Sequence, residues 1–325
     1  MPPLPPDWHP TISIENLRLR AALLAQTRRF FAARHVLEVD TPLVVNAPVS
    51  DVHIASAGVE LAGAGRAFLH TSPEYAMKRL LAAGSGDIYQ ICHVVRGDER
   101  GRLHNPEFTL IEWYRLGFSI DALMDEVEAL VRELLGAKSA ALRSERIAWR
   151  TAFMWHAALD PVEASRSALE RAATDCALAP DAAAAADRDS LLDLVMSVRV
   201  GPLLGRGALT FVHRYPASQA ALARLDPPDP RFALRFELYC EGIELANGFA
   251  ELGSSAEQRA RFELDLAERA RRALPLAPLD ERLLGALSAG LPDCAGVAVG
   301  FDRVLMLAAG ASHIEAVLPF TTDRA

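Results

Sequence analysis

The sequence predicts an α+β fold, an antiparallel sheet flanked by helices. Three observations carry this. Apolar strand-like segments come in hairpin-linked pairs, at 87–96 with 107–115 and at 235–240 with 243–252. Helical periodicity is confined to segments outside those pairs, chiefly 15–35, 121–135 and 256–272. No strand runs through a Gly-rich turn into a helix, which excludes the P-loop and dinucleotide-binding devices of doubly wound folds.

Residues 1–14 read as an extended, Pro-rich lead-in. Leu17, Leu24 and Phe31 recur every seven residues and predict a helix from about Glu15 to His35. Strand character covers 36–45, where Pro42 implies an edge, an end or a bulge. Residues 46–70 are loop and short strand. Ser72-Pro73-Glu74 opens a helix, with Ser72 as N-cap, Pro73 at the first position and Glu74 in the first turn; Gly84 ends it. Residues 137–205 are Ala-rich and predict a helical insertion with no readable chemistry. Strand character returns at 209–213, and the last unit is a strand at 296–300 followed by a helix from Asp302. The expectation is one catalytic domain over 15–325 with the insertion inside it.

Half of the 325 residues are hydrophobic, enough for a large buried core, and the net charge is −8. That sign argues against non-specific nucleic-acid binding, which needs clustered Lys and Arg. Cys92, Cys176, Cys240 and Cys294 form no C-x-x-C pair, so neither a zinc knuckle nor a disulfide framework is expected, and free thiols fit a reducing cytoplasm. The N-terminus lacks the apolar core of a signal peptide, and no stretch is apolar enough to span a membrane.

Three segments concentrate chemistry. Arg96-Gly97-Asp98-Glu99-Arg100-Gly101-Arg102-Leu103-His104-Asn105-Pro106-Glu107-Phe108 crowds arginines, a His and carboxylates into one hairpin arm. A solvated hairpin tip would also look like this, but the mixture suits phosphates, with an aromatic ring beside them to stack on a base. In Gly242-Ile243-Glu244-Leu245-Ala246-Asn247-Gly248-Phe249-Ala250-Glu251, the two acids lie seven apart, on opposite faces of a regular strand. One bulge, expected at Asn247-Gly248, puts them on a common face, where two carboxylates call for a cation; exposed acids on a plain strand are the alternative. In Gly296-Val297-Ala298-Val299-Gly300-Phe301-Asp302-Arg303, Arg303 enters the first turn of a helix, the wrong sign for the helix dipole unless a polyanion binds there. A surface pair with Asp302 is the plainer reading.

In this order the segments resemble the class II lysyl-tRNA synthetases. LEVDTPLV looks like motif 1, RGDERGRLHNPEFTLIEWYR like motif 2, TSPEYAMKRLL like the substrate-loop helix, GIELANGFAEL like the metal-binding strand and GVAVGFDRVLML like motif 3. The likeness spans 15–325 and implies a class II aminoacyl-tRNA synthetase catalytic core. Motif 1 begins near residue 15, which leaves no anticodon-binding domain before it. The pattern is therefore most similar to the truncated paralogues, the ligases that attach (R)-β-lysine to a lysine side chain of elongation factor P.

The resemblance implies ATP as substrate, Mg²⁺, an acyl-adenylate intermediate, a homodimer through the motif 1 helix and no anticodon recognition. It assigns Arg96 and Arg303 as catalytic. Nucleotide contacts fall to Arg96, Gly97, Asp98, His104, Asn105, Phe108, Glu244, Leu245, Gly300 and Arg303, with Phe108 and Arg303 sandwiching adenine. Glu244 and Glu251 hold the metal. Ser72, Pro73, Glu74, Glu112, Tyr114, Asn247 and Glu251 line the pocket for a lysine-like amino acid. The family reads Arg-Asn-Glu where this chain reads Arg96-Gly97-Asp98, so the adenine contact passes to Asp98 or to Glu99. Ala298 stands where lysyl-tRNA synthetases commonly carry Gly, and its methyl narrows the pocket floor against α-lysine. Another amino acid or acceptor stays open on the same residues. A non-catalytic paralogue is disfavoured because Arg96, Arg303, Glu244 and Glu251 are all present.

Overall fold

A computed structural model describes residues 8–63 and 65–325. Residues 1–7 of the expected lead-in lie outside the described residues. Ser13 caps the first helix, its Oγ accepting from the Asn16 amide at 3.1 Å, and α1 runs Ile14–Ala32.

The predicted strand at 36–45 is split at Pro42 into β1 (Leu37–Glu38) and β2 (Val44–Val45). These two strands join different sheets. Strand β2 forms a small sheet with β3 (Gly58–Leu61) and β4 (Gly65–Leu69), in the order β2-β4-β3. Helix α2 (Glu74–Ala82) follows, then the long pair β5 (Ile88–Val95) and β6 (Glu107–Leu116), then α3 (Ile120–Leu135).

Residues 137–205 are not wholly helical. After a 3₁₀ helix at Gly136–Ala141 they form a strand, β7 (Arg143–Ala148), before α4 (Trp149–Ala157), α5 (Arg166–Asp175), α6 (Pro180–Ala185) and α7 (Arg188–Val195). Strand β8 (Ala208–Pro216) then leads to the hairpin of β9 (Phe232–Cys240) and β10 (Ile243–Ala250). The chain closes with α8 (Ser255–Arg271), α9 (Glu281–Gly290), β11 (Cys294–Gly300) and α10 (Phe301–Ala309).

The main sheet has the order β1-β5-β6-β11-β10-β9-β8-β7. Its six central strands are antiparallel, as predicted. The two outermost pairings, β1 with β5 and β7 with β8, are parallel.

Strand alternation sends one set of side chains to each face of this sheet. One face carries Ile111, Trp113, Phe236, Leu238, Val297 and Val299, covered by α1, α3 and α10 in one apolar cluster. Phe31 stacks on Tyr89 at 4.3 Å and meets Trp113 edge-on at 5.2 Å. It is fully buried, worth about 1.5–3 kcal/mol for the side chain. The insertion keeps its own core around Trp149, Phe153, Leu169 and Leu191. The opposite face of the sheet carries Glu112, Tyr114, Arg235, Glu237, Glu244, Asn247 and Glu251, and opens into a cavity of about 1200 Å³.

Candidate active site

A hairpin and one bulge set the floor of the cavity. Gly242, at φ +73°, turns β9 into β10 where a Cβ would press on the Pro202 backbone. Glu244 pairs with Tyr239 but Ala246 pairs with Leu238, so one extra residue sits in β10 at Leu245. Leu245 and Ala246 both pack into the core, and Glu244, Asn247, Phe249 and Glu251 all line the cavity. The bulge thus gives the common face expected of Glu244 and Glu251. It lies at Leu245 rather than at Asn247-Gly248, which pair regularly with Glu237 and Phe236.

At one end of the cavity lies a buried cluster of charges. Lys78, on α2, has a side chain only 1% exposed, with its ammonium 2.5 Å from Glu74 Oε1 and 2.6 Å from Glu251 Oε2. Burial opposes the charged form of Lys78, but Glu251 and Glu74 outweigh it and raise its pKa above the usual lysine value. Glu112 accepts from Ser72 Oγ at 2.8 Å and from the Tyr114 hydroxyl at 2.7 Å. Burial, reinforced by Glu74, nevertheless pushes the Glu112 carboxyl up to about 8. Burial also lifts Glu251 to about 7 against the pull of Lys78. Glu251 Oε1 has no hydrogen-bond donor. It lies against Gly296, where an added Cβ would overlap it and the Tyr114 ring. Two carboxyl groups, Glu74 and Glu251, therefore share one buried cation, and Glu112 beside them has only hydroxyl donors.

The other end is built from arginines resting on provisional acceptors. Arg96 Nη1 donates to Glu99 Oε1 at 3.2 Å and its Nε to the Thr71 carbonyl at 3.3 Å, with the guanidinium 5.2 Å above the Phe108 ring. Arg303 donates to the Glu244 carbonyl at 2.8 Å and to His104 Nε2 at 2.8 Å. His104 is held below the usual imidazole value, first by burial and then by Arg303, which suits an unprotonated Nε2 accepting that bond. The plainer reading of Arg303 as a surface partner of Asp302 does not hold. Asp302 is buried and takes its bonds from Arg20 at 2.5 Å and from the Thr109 amide at 2.7 Å.

The arrangement is a cavity with a cationic end suited to phosphates and an anionic end suited to ammonium groups. The family model of tRNA synthetases class II (D, K and N) matches residues 9–324. The chain belongs to this family. It is similar to the elongation factor P–(R)-β-lysine ligase of Vibrio cholerae, 49% identical over 324 residues, which is 98% of this chain and 99% of that protein. It is likewise similar to the ligase of the same name from Salmonella typhi, 47% identical over 323 residues, 98% of each chain.

Of the residues this class II chain was expected to use, Ser72, Glu74, Arg96, His104, Glu112, Tyr114, Glu244, Asn247, Glu251 and Arg303 line the one cavity. Ser72 is not the N-cap; Pro73 holds that position without a side-chain bond. Instead Ser72 Oγ accepts from the Glu74 amide at 3.0 Å and donates to Glu112. Gly97 and Asp98 are exposed, Gly97 tied to the Ala55 carbonyl at 2.9 Å, and Glu99 rather than Asp98 sits beside Arg96. Asn105 turns its amide to the Glu107 carbonyl at 2.6 Å and to Thr322 at 3.1 Å, fastening the C-terminal segment. Leu245 points into the core, and Gly300 caps α10 with the Arg303 stem lying across it. Phe108 has Arg96 rather than Arg303 over its ring.

One expected pair is not brought together. With the bulge counted, Glu244 and Glu251 share a face but are separated by about 20 Å of strand, too far for one ion. Glu251 is taken by Lys78. The carboxyl group bearing on Glu244 is Glu237 on the neighbouring strand; burial first and then Glu237 raise Glu244, while Arg303 draws it down.

Five wall residues, Asp193, Tyr215, Arg235, Glu237 and Tyr239, and the buried Lys78 lie outside the expected set. The Glu74–Lys78 spacing of four was visible as a helical pair. Arg235 and Glu237 meet at 2.5 Å, with Tyr215 and Tyr239 each donating to Glu237 at 2.6 Å; Arg235, Glu237 and Tyr239 alternate along β9, a visible period of two, and Tyr215 joins them from β8. Asp193 comes from the insertion, accepts from Gln219 at 2.8 Å and is raised to about 6 by burial foremost.

Proposed function

We propose that the chain is an ATP-dependent ligase that activates (R)-β-lysine as an acyl-adenylate and transfers the acyl group to a lysine side chain of elongation factor P. The observation that carries this reading is the anionic pocket of Glu74, Glu112 and Glu251, with Lys78 as its cation, at one end of a cavity with Arg96 and Arg303 at the other. A buried carboxylate excess is costly unless a cation enters, and a diamino acid supplies one. The full-length likeness to the two ligases supports the choice of amino acid and acceptor.

The first step brings an anion to an anion. The substrate carboxylate attacks the α-phosphorus of ATP and pyrophosphate departs. Arg96 neutralises the α-phosphate and carboxylate, and Arg303 holds the outer phosphates as the leaving charge develops. Phe108 supplies a ring for adenine, His104 a further nucleotide contact, and Glu99 the acid expected of the motif 2 arm. Glu112, Tyr114, Asn247 and Ser72 orient the amino acid. In the second step a neutral acceptor amine attacks the acyl carbon and AMP leaves. No enzyme side chain is needed as a nucleophile.

Mg²⁺ fits this site through the hard oxygens of Glu244 and would offset charge on the phosphates; Glu237 beside it already has both oxygens engaged, by Arg235 and by the Tyr215 and Tyr239 hydroxyls. Among the described residues no three His, Cys, Asp or Glu side chains gather as a closed metal site. Mg²⁺ commonly relies on substrate phosphates and water for the remainder of its shell.

Ala298 sits opposite both Glu112 and Asn247 in the sheet, so its methyl shapes the floor where the amino acid lies. This supports selection of a shifted amine over α-lysine. A homodimer is supported by exposed Ile14 and Leu17 on α1 and Leu37 on β1, whose outer edge is unpaired in this sheet. Four free cysteines and the absence of a membrane-crossing helix among the described residues accord with a cytoplasmic enzyme.

The test is incubation with ATP, Mg²⁺, (R)-β-lysine and unmodified elongation factor P. Mass spectrometry is expected to show one added lysyl unit on the factor. An unmodified factor, with the enzyme folded and saturated, overturns the reading.

A further inference from the structure

We infer that Lys78 is a positioning residue that orients Glu74 and Glu251 and sets how strongly the pocket takes a substrate ammonium group. The inference rests on the reading that this end of the cavity binds a diamino acid. It goes further, because it assigns the discrimination to a side chain that itself never meets solvent.

The geometry has three parts. Lys78 reaches the pocket from behind, through α2, and is sealed from water at 1% side-chain exposure. Its ammonium contacts one oxygen of Glu74 and one of Glu251, at 2.5 and 2.6 Å, and so fixes both carboxyl groups from the side away from the substrate. Neither Glu251 oxygen receives a hydrogen bond: Oε2 faces the Lys78 charge at 2.6 Å as an ion contact alone, and Oε1 has no donor in a fully enclosed position. A buried acceptor held in place and unsatisfied is a strong demand for an incoming N–H.

Without Lys78, three carboxyl groups would crowd one buried pocket with Arg224, beside Glu251, as the cation left to offset them. Such groups retain protons instead of ionising together. A pocket of neutral carboxylic acids attracts an ammonium group poorly and no longer separates a diamino acid from a mono-amino analogue. Glu112 and Glu251 already sit high, at about 8 and about 7, with Lys78 in place. The groups facing the cluster are Glu74 and Lys78 from α2, Glu112 and Tyr114 from β6, Glu251 after β10, Cys294 on β11 and Arg224, which draws Glu251 down.

The experiment compares the wild-type enzyme with Lys78→Met in amino-acid-dependent pyrophosphate exchange at pH 7 and pH 8.5. The expected result is a rise in KM for the diamino acid of roughly 20-fold or more at pH 7, with the KM for ATP within about twofold. At pH 8.5 the loss is smaller, because Glu112, raised to about 8, is then ionised and attracts the ammonium group. The preference for the diamino acid over a β-amino acid lacking the side-chain amine also falls. A KM raised equally at both pH values marks a structural lysine and overturns the inference, as does a KM within about threefold of wild type. Lys78→Gln, which keeps a donor in the pocket, carries the same reading if the Met variant does not fold. Wild-type enzyme that exchanges no pyrophosphate with any diamino acid counts against the proposed function instead. Calorimetric titration with the diamino acid then reads Lys78 by binding alone.

Discussion

The amino-acid end of the cavity buries its charges, whereas the phosphate end leaves them half in water. Lys78, Glu112 and Glu251 are all nearly inaccessible, while the side chains of Arg96 and Arg303 are 27% and 20% exposed and that of His104 is 41%. At the closed end, charges act on one another with little screening, so each acid shifts its neighbours and the pocket is unsatisfied without a guest. At the open end, the arginines rest on backbone carbonyls, on His104 and on the Glu99 carboxylate, contacts that a phosphate can replace. The difference teaches where specificity and catalysis reside. A preformed, charge-imbalanced pocket selects the amino acid, and a set of provisional contacts waits for the charge that develops on ATP.

The comparison can be broken most forcefully at the open end. Arg303→Ala removes a donor aimed at developing charge, and kcat/KM in amino-acid-dependent pyrophosphate exchange is expected to fall by on the order of 10³. Its melting temperature should stay close to wild type, since the side chain lines an open cavity and is 20% exposed. A loss below tenfold would show that the phosphate end works without it.

At the closed end, Glu112→Gln keeps the shape and removes the charge. The KM for the diamino acid is expected to rise by on the order of 100-fold, with the KM for ATP little changed. Equal effects on both substrates would deny that the two ends are separate.

The smallest effect sharpens the contrast by proton counting. With the pocket empty, the raised Glu112 carboxyl keeps its proton below about pH 8. An ammonium group beside it favours the carboxylate, so binding expels the proton. Affinity should climb with pH up to about 8 and then level. Titration calorimetry in buffers of different ionisation heat should find between one and two protons released per amino acid at pH 7, from Glu112 and in part from Glu251, fading above pH 8. No release at pH 7 would mean that Glu112 does not meet the amine.

The antiparallel centre of the sheet was legible because hairpin-linked strands announce themselves by alternation and by turns such as Glu241-Gly242. The parallel edges were not, since they depend on where β1 and β7 come to rest after a crossover. The bulge was inferred for a sound reason, the odd spacing of Glu244 and Glu251. It was placed at Asn247-Gly248 because that dipeptide looks like a turn, whereas the chain hides its extra residue as Leu245 in the core. A common face then passed for proximity, although seven residues of strand is a long way. Arg303 was legible from its sign at a helix N-terminus. The insertion was not: Asp193 means something only once α7 is laid against Gln219 and the cavity wall.

Gly296 has one more consequence. It forms the wall between Tyr114 and the free oxygen of Glu251, and the site there is made of absent atoms. Truncating side chains one at a time to alanine, the usual way to map such a surface, would act in reverse at this position. Alanine here is an addition, a methyl group driven into the space the carboxylate and ring already fill. The map would record an important residue, yet beyond its place in the strand that residue contributes no side-chain contact, only room.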